Sequence, residues 1–312
     1  MKRAQQAIFF LILLYLFLNS CKNSRKAVDE INGRVLDTTV DTTSVLTLYN
    51  FLEQEQLDSI INAPAPRKDG KPRYRGLLAV PQDGDDFRRR NLDGVYWRHS
   101  SIKDADFRGA KFRSADCEYS DFSESDFRAA DIRWTDFNHT ILVRADFRQS
   151  HLFHLKINHA DLSYADLRGA NMFGVEGHHA VLRYARLSGA LLKDVEFVDA
   201  DFTGAEAIKV KLFRAVLTGA KMDSADFSLC DFTGADMKRV SARATRFIGT
   251  SFSGAQLEFA DFSGSNLKDA DFQGAKFENT IFRNAINIPE QIKKFINKEG
   301  VANGSVPKLG HN

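Results

Sequence analysis

Three cysteines and six prolines in 312 residues are too few for a disulfide-stapled scaffold or a proline-rich linker protein. Neither charge is in excess. The 43 Lys and Arg stand against 41 Asp and Glu, a formal net charge of +2, which disfavours both a strongly basic nucleic-acid binder and a strongly acidic nucleic-acid mimic. A membrane-spanning run is also lacking, because the apolar stretch Ala7 to Leu18 (AIFFLILLYLFL) falls short of the roughly 20 residues a helix needs. Phenylalanine is what abounds, 26 residues beside 7 Tyr and 2 Trp, in a chain that is 43% apolar and therefore able to build a substantial core.

The N-terminus reads as an address. Lys2 and Arg3 precede the apolar run, which ends in Leu18-Asn19-Ser20-Cys21. This arrangement resembles a bacterial lipoprotein signal, which implies removal of residues 1–20 and lipid on Cys21. The alternative is a short anchor helix that is never cleaved. With lipid, the mature protein is anchored rather than spanning; Lys22 in place of Asp after the cysteine implies the outer membrane. Loss of Lys2 and Arg3 would leave 41 positive against 41 negative side chains, a formally neutral chain.

Searched for internal periodicity, the body has a large apolar residue at almost every fifth position from Phe87 to Phe282, with no slip of register. Residues 85–284 divide into forty pentapeptides. The central residue is Phe, Leu, Ile, Met or Trp in 36 of them, and the residue two before it is Ala, Ser, Thr, Val or Cys in 37. In a continuous strand, residues five apart face opposite sides, so a turn must reset the chain within each pentapeptide. Gly stands two after the centre in twelve repeats, where a tight bend is expected. One large and one small side chain in every five then point inward.

A second period, of twenty, sets the number of corners. Asp86-Phe87-Arg88, Asp106-Phe107-Arg108, Asp126-Phe127-Arg128, Asp146-Phe147-Arg148 and Asp166-Leu167-Arg168 recur at that interval, so positions twenty apart share an environment. Four pentapeptides per coil give about ten four-sided coils, a column about 48 Å tall at one strand spacing per coil.

Ala-Asp-Phe-Arg-Gly (105–109), Ala-Asp-Leu-Arg-Gly (165–169), Ala-Asp-Phe-Thr-Gly (200–204) and Ala-Asp-Phe-Gln-Gly (270–274) resemble the repeat of the pentapeptide-repeat proteins. The resemblance covers about two thirds of the chain and implies an all-β fold, a right-handed quadrilateral β-helix, in agreement with the four-sided coil. Departures at the centre are Cys117, Gly177, Ala207 and Ala242. Val175 and Val240, beside two of these, are expected to refill the lost volume. Cys117 and Cys230 lie more than five coils apart, too far for a disulfide, and are expected to be buried thiols.

A solenoid exposes strand edges at its ends and needs caps. Residues 21–44 read as a flexible tether and 45–84 as an N-terminal cap and linker, with Asn50 and Glu53 suited to a capping box for a helix over 51–61 and Tyr74 to Val80 suited to a first strand. Residues 285–298 read as the C-terminal cap: Ile288, Ile292, Phe295 and Ile296 predict a helix over 289–298, beginning at Pro289. Residues 299–312 read as a loose tail.

A core filled by its own side chains, with no long loop, offers no cavity or loop-built pocket. No phosphate-binding glycine motif, metalloprotease signature or convincing nucleophile–base pair is evident, so neither an enzyme nor a cofactor is expected. The surface columns are more informative. Arg88, Arg108, Arg128, Arg148 and Arg168 form one ladder and the aspartates two residues before them a second. The pair forms either a self-neutralised lattice or a face whose arginines engage a partner's carboxylates or phosphates. His139, His159 and His179 fall one coil apart, above His99 and Tyr119: a plain surface stack, a pH-sensitive contact or a divalent-metal site.

Residues 85–184 hold 12 Arg and 7 His, against 6 Arg and no His in 185–284. A binding face is therefore expected in the first half, with Arg108, Arg128, Arg148, Arg168 and Trp134 as candidates. The function expected is a non-enzymatic, membrane-anchored scaffold or interaction module at the bacterial cell envelope. Its partners would be the membrane, through lipid on Cys21, and an envelope protein or polymer; nucleic acid is not expected. The alternatives are a topoisomerase-binding nucleic-acid mimic, an activity known among pentapeptide-repeat proteins, and a metal-binding surface protein using the histidine column.

Overall fold

A computed structural model of the chain describes residues 81–307 and two short strands nearer the N-terminus. Every pentapeptide of 85–284 bends at the same place. The amide of Arg90 donates to the carbonyl of Phe87 at 3.0 Å, and Ala110 to Phe107 at 2.9 Å, closing a β-turn whose third residue is left-handed, with φ of +65° at Gly109, +54° at His99 and +59° at Trp134. All forty residues two after a centre have positive φ, and 28 of them are not glycine. None of the 28 is Val, Ile or Thr, the side chains that tolerate a left-handed backbone least.

Stacking holds these residues there. The amide of the left-handed residue donates to the next coil, as Trp134 does to Phe153 O at 3.0 Å, and so does the amide of the centre, Phe87 to Asp106 O at 2.8 Å. Parallel bridges at intervals of twenty run from Asp86↔Asp106 to Asn266↔Ile286, one column of bridges on each of the four sides. Each side is thus a ladder of single bridge residues rather than a long strand. Among the described residues no helix is long and apolar enough to cross a membrane.

Every central residue is buried. Phe87, Phe107, Phe127 and Phe147 stack at 4.9, 4.5 and 4.9 Å with planes within 13° of parallel. Where the small inward residue is Thr, and at Ser125, the hydroxyl reaches back to a turn carbonyl of the preceding coil: Ser125 to Ile102 O at 2.9 Å, Thr140 to Cys117 O at 3.2 Å, Thr250 to Phe227 O at 2.8 Å; Ser150 and Ser265 instead donate to Phe147 O and Phe262 O of their own turns. These bonds satisfy groups that would otherwise be stranded in an apolar core. The thiol of Cys230 takes the same position on Ala207 O. Cys117 and Cys230 are unpaired and buried. Burial pushes the Cys117 thiol well above its ordinary value and that of Cys230 up to about 12, so neither supplies a thiolate near neutral pH.

Val175 and Val240 both point into the core. At Gly177, however, the ring of Phe197 from the next coil fills the vacancy; a Cβ there would lie 2.3 Å from it. Phe197 thus occupies the space a side chain at 177 would take, beside the buried Val175.

The column extends past both expected bounds. Gly84 is left-handed at +73° and donates to Lys103 O at 2.7 Å, and Asp83 accepts from the Lys103 amide, so the first corner lies within 82–84. Beyond 284, Ile286 still bridges Asn266. The expected helix over 289–298 is one turn, α1 (Glu290–Lys293), although Ile292 is buried and Ile288, Phe295 and Ile296 pack on the core.

The expected tail instead folds back. β3 (Thr280–Ile281) pairs antiparallel with β4 (Val301–Ala302), Phe277 donates to Gly304 O and Phe282 to Gly300 O. The last coil has no successor to accept these amides, and residues 300–304 supply the carbonyls. Within the expected tether, β1 (Ala27–Asp29) pairs antiparallel with β2 (Arg34–Leu36), joined by four residues that include the turn-favouring Asn32-Gly33. Residues 1–20, Cys21, the helix over 51–61 and the strand over 74–80 lie outside the described residues.

Candidate interaction surface

With the core closed, the outward columns carry whatever chemistry the protein has. On the Asp–Arg side, Arg128 donates from Nε and Nη2 to the carboxylate of Asp126 at 2.9 and 2.6 Å and stands 3.6 Å from Asp146 of the next coil. Arg108 and Arg148 repeat the arrangement, each on its own aspartate and near the next. Arg168 pairs with Asp166, which Arg186 also approaches.

The hydrogen bond to its own-coil aspartate chiefly raises each guanidinium pKa. Burial by itself pushes the carboxyls of Asp126 and Asp166 up, but the hydrogen bonds from Arg128 and Arg168 outweigh it and hold both below the ordinary carboxylate value. The two ladders therefore neutralise one another. Where they begin, a cleft of about 540 Å³ is lined by Asp86, Arg88, Arg89, Arg90 and Arg108.

At another corner His99, Tyr119, His139, His159 and His179 stack at 5.1, 4.7, 4.8 and 4.8 Å, with planes within 15° of parallel. The candidate metal ligands His139, His159 and His179 are thus adjacent, but face to face. Their nitrogens lie in parallel planes and do not converge on one point as a tetrahedral site requires. Among the described residues no group of three or more ligating side chains is placed to hold a metal ion. Burial, reinforced by the charges of His139, His179 and His178, holds the His159 imidazole below its ordinary value, which favours the neutral, stackable ring.

Trp134 does not join the arginine ladder. It occupies the next corner, where its indole lies under Arg133 at 5.2 Å and edge-on to Phe153 at 5.9 Å. Phe153 stacks on Phe173 at 5.0 Å. A further ring column, Tyr164 on Tyr184 at 5.2 Å, lies one corner beyond the histidines, with Arg144 over Tyr164. Reading the corner residues in columns of twenty would have found both.

Glycine ends the tyrosine stack, where a Cβ at Gly204 would meet the Tyr184 ring at 2.5 Å, and likewise lies above His154, whose ring a Cβ at Gly174 would meet at 2.6 Å.

Eight copies of the family model described as pentapeptide repeats match between residues 91 and 284, over 91–174, 178–206 and 211–284, more than half of the chain. The chain belongs to the pentapeptide-repeat family. Members form right-handed quadrilateral β-helices, the architecture described above. No curated protein matches the chain.

Among solved structures, this pentapeptide-repeat chain is similar to HetL, a pentapeptide repeat protein involved in heterocyst differentiation regulation from the cyanobacterium Nostoc sp. strain PCC 7120. The identity is 23%, covering 69% of this chain and 94% of that one, with a TM-score of 0.34. It is also similar to full-length QnrB1, a plasmid-mediated fluoroquinolone resistance protein, at 23% identity over 58% of this chain and 94% of that one, TM-score 0.35.

Proposed function

We propose that the protein is a non-enzymatic interaction rod of the bacterial cell envelope, held at the membrane by lipid on Cys21 and presenting outward columns of its first half, Arg108, Arg128, Arg148, Arg168 and Trp134 among them, to an envelope protein or polymer. The observation that carries this reading is the division of labour in the repeat. Inward positions fill the column with their own side chains, so recognition is left to outward residues, and these are ordered into ladders over residues 86–184. The Leu18-Asn19-Ser20-Cys21 sequence supports the anchor. A nucleic-acid mimic needs a row of open carboxylates, whereas arginines cover the Asp86–Asp166 ladder.

The test is fatty-acid labelling and fractionation of cells making the full chain or its Cys21→Ala variant. The chain should incorporate labelled fatty acid and partition with outer membranes, and Cys21→Ala should do neither. A variant that still incorporates label and still partitions with membranes would remove the anchor from this account.

A further inference from the structure

One side of the column is bordered by rings along both edges: the stack from His99 to His179 on one, and Tyr164 and Tyr184 on the other. Of the eight large apolar side chains exposed among the described residues, five lie on this side or its corners: Tyr119, Ile141, Tyr164, Tyr184 and Phe259. A concentration of this kind marks a contact surface.

The geometry points to a second copy of this chain as the occupant, lying parallel about a two-fold axis that runs along the column through the middle of this side. Such an axis allows no axial sliding. It sets each coil against the same coil of the second copy, and the outward residue before each centre against the outward residue after it. The sequence fits that operation. Ile141 meets Val143, Asp121 meets Ser123, Asp161 meets Ser163 and Lys221 meets Asp223; at the edges His159 meets Tyr164 and Phe259 meets Gly264. Among the Asp, Glu, Lys and Arg side chains, no coil of this side opposes like charges.

Two of the other three sides fail the same operation, one setting Lys111 against Arg113 and another Asp116 against Glu118. The Asp–Arg side passes it, but over 86–168 presents only charged side chains between its corners. Several charges on the ring-bordered side are already paired within one chain, Arg183 with Asp201 and Arg243 with Asp261, both at 2.7 Å, which lowers the cost of covering them. At most about 16 Å of chain per side and about 48 Å of height give roughly 750 Å², close to the ~800 Å² per partner of a standard interface. A net charge of +2 adds little repulsion between copies. The pairing does not depend on the lipid anchor.

The test uses two tagged full-length chains made in the same cell, one carrying His159→Cys and the other Tyr164→Cys, treated with a short bis-maleimide. The mixed pair should crosslink several-fold above either variant paired with itself and above the unsubstituted chain, whose Cys117 and Cys230 are buried and whose Cys21 is common to every sample. Adding Ile141→Arg to both should reduce that yield to background with the circular dichroism spectrum unchanged. A mixed yield at background, a yield no higher than that of a same-site pair, or one indifferent to Ile141→Arg would overturn the pairing.

Discussion

Residues 85–184 and 185–284 bury the same kinds of side chain at the same positions, yet four of twenty corners are glycine in the first half and eight of twenty in the second. The corner backbone is the same in both, with φ of +57° at His159 and +73° at Gly219. Glycine therefore does not create the bend; the same turn closes on every residue type, as Arg90 on Phe87 and Ala110 on Phe107 show. What differs is the use made of the corner. In the first half rings stack on one another along the column, whereas in the second glycine leaves eight of twenty corners as bare backbone. Scaffold and surface are separable, and the first half spends its corners on surface chemistry.

Core truncation should break this comparison if anything does. Phe127, stacked on Phe107 and Phe147, and Phe252, 5.5 and 4.9 Å from Phe232 and Phe272, should each cost about 3–5 kcal/mol on replacement by Ala. Denaturant unfolding measures both; a far smaller cost in one half would mean that the halves do not share a core. Next in size, Thr140→Val and Thr250→Val keep the shape and remove the hydroxyl that Cys117 O and Phe227 O accept. Each should lose about 1–3 kcal/mol, again alike in the two halves.

Corner substitutions sharpen the point. Trp134→Val should be about 1–2 kcal/mol less stable than Trp134→Ala, because a β-branched residue resists the left-handed backbone, and Leu229→Val should show the same excess over Leu229→Ala. No excess would mean that the turn relaxes once the side chain changes.

The smallest effect is electrostatic. The carboxyls of Asp126 and Asp166 in the first half, and of Asp201 and Asp261 in the second, lie below their ordinary value because hydrogen bonds from neighbouring side chains and amides outweigh the opposing effect of burial. A depressed folded-state pKa stabilises above the unfolded value, near 3.9. That stabilisation is lost as pH falls through the folded-state value. Thermal unfolding should therefore show Asp126→Asn below the unsubstituted protein at neutral pH and level with it in strong acid. Salt should shrink the gap.

The inward positions were legible in the sequence because a period of five has one physical meaning, a turn in every repeat. Left-handed corners were legible where glycine marked them and silent at residues such as Trp134 and His159, whose conformation is set by the neighbouring coil rather than by their own preference. The return of residues 300–304 left no periodic trace, since it depends on amides that only the last coil leaves open. Trp134 and the arginines of the 88–168 ladder are near in sequence but stand in different columns. The interval of twenty already separated them.

The most direct test of a uniform column under a divided surface is amide hydrogen exchange of the full chain, followed by mass spectrometry. The account predicts equally slow exchange of the inter-coil amides over residues 106–186 and 206–286, despite the difference in corner glycines. Markedly faster exchange in the glycine-rich second half would contradict it, by showing that corner side chains hold the scaffold together.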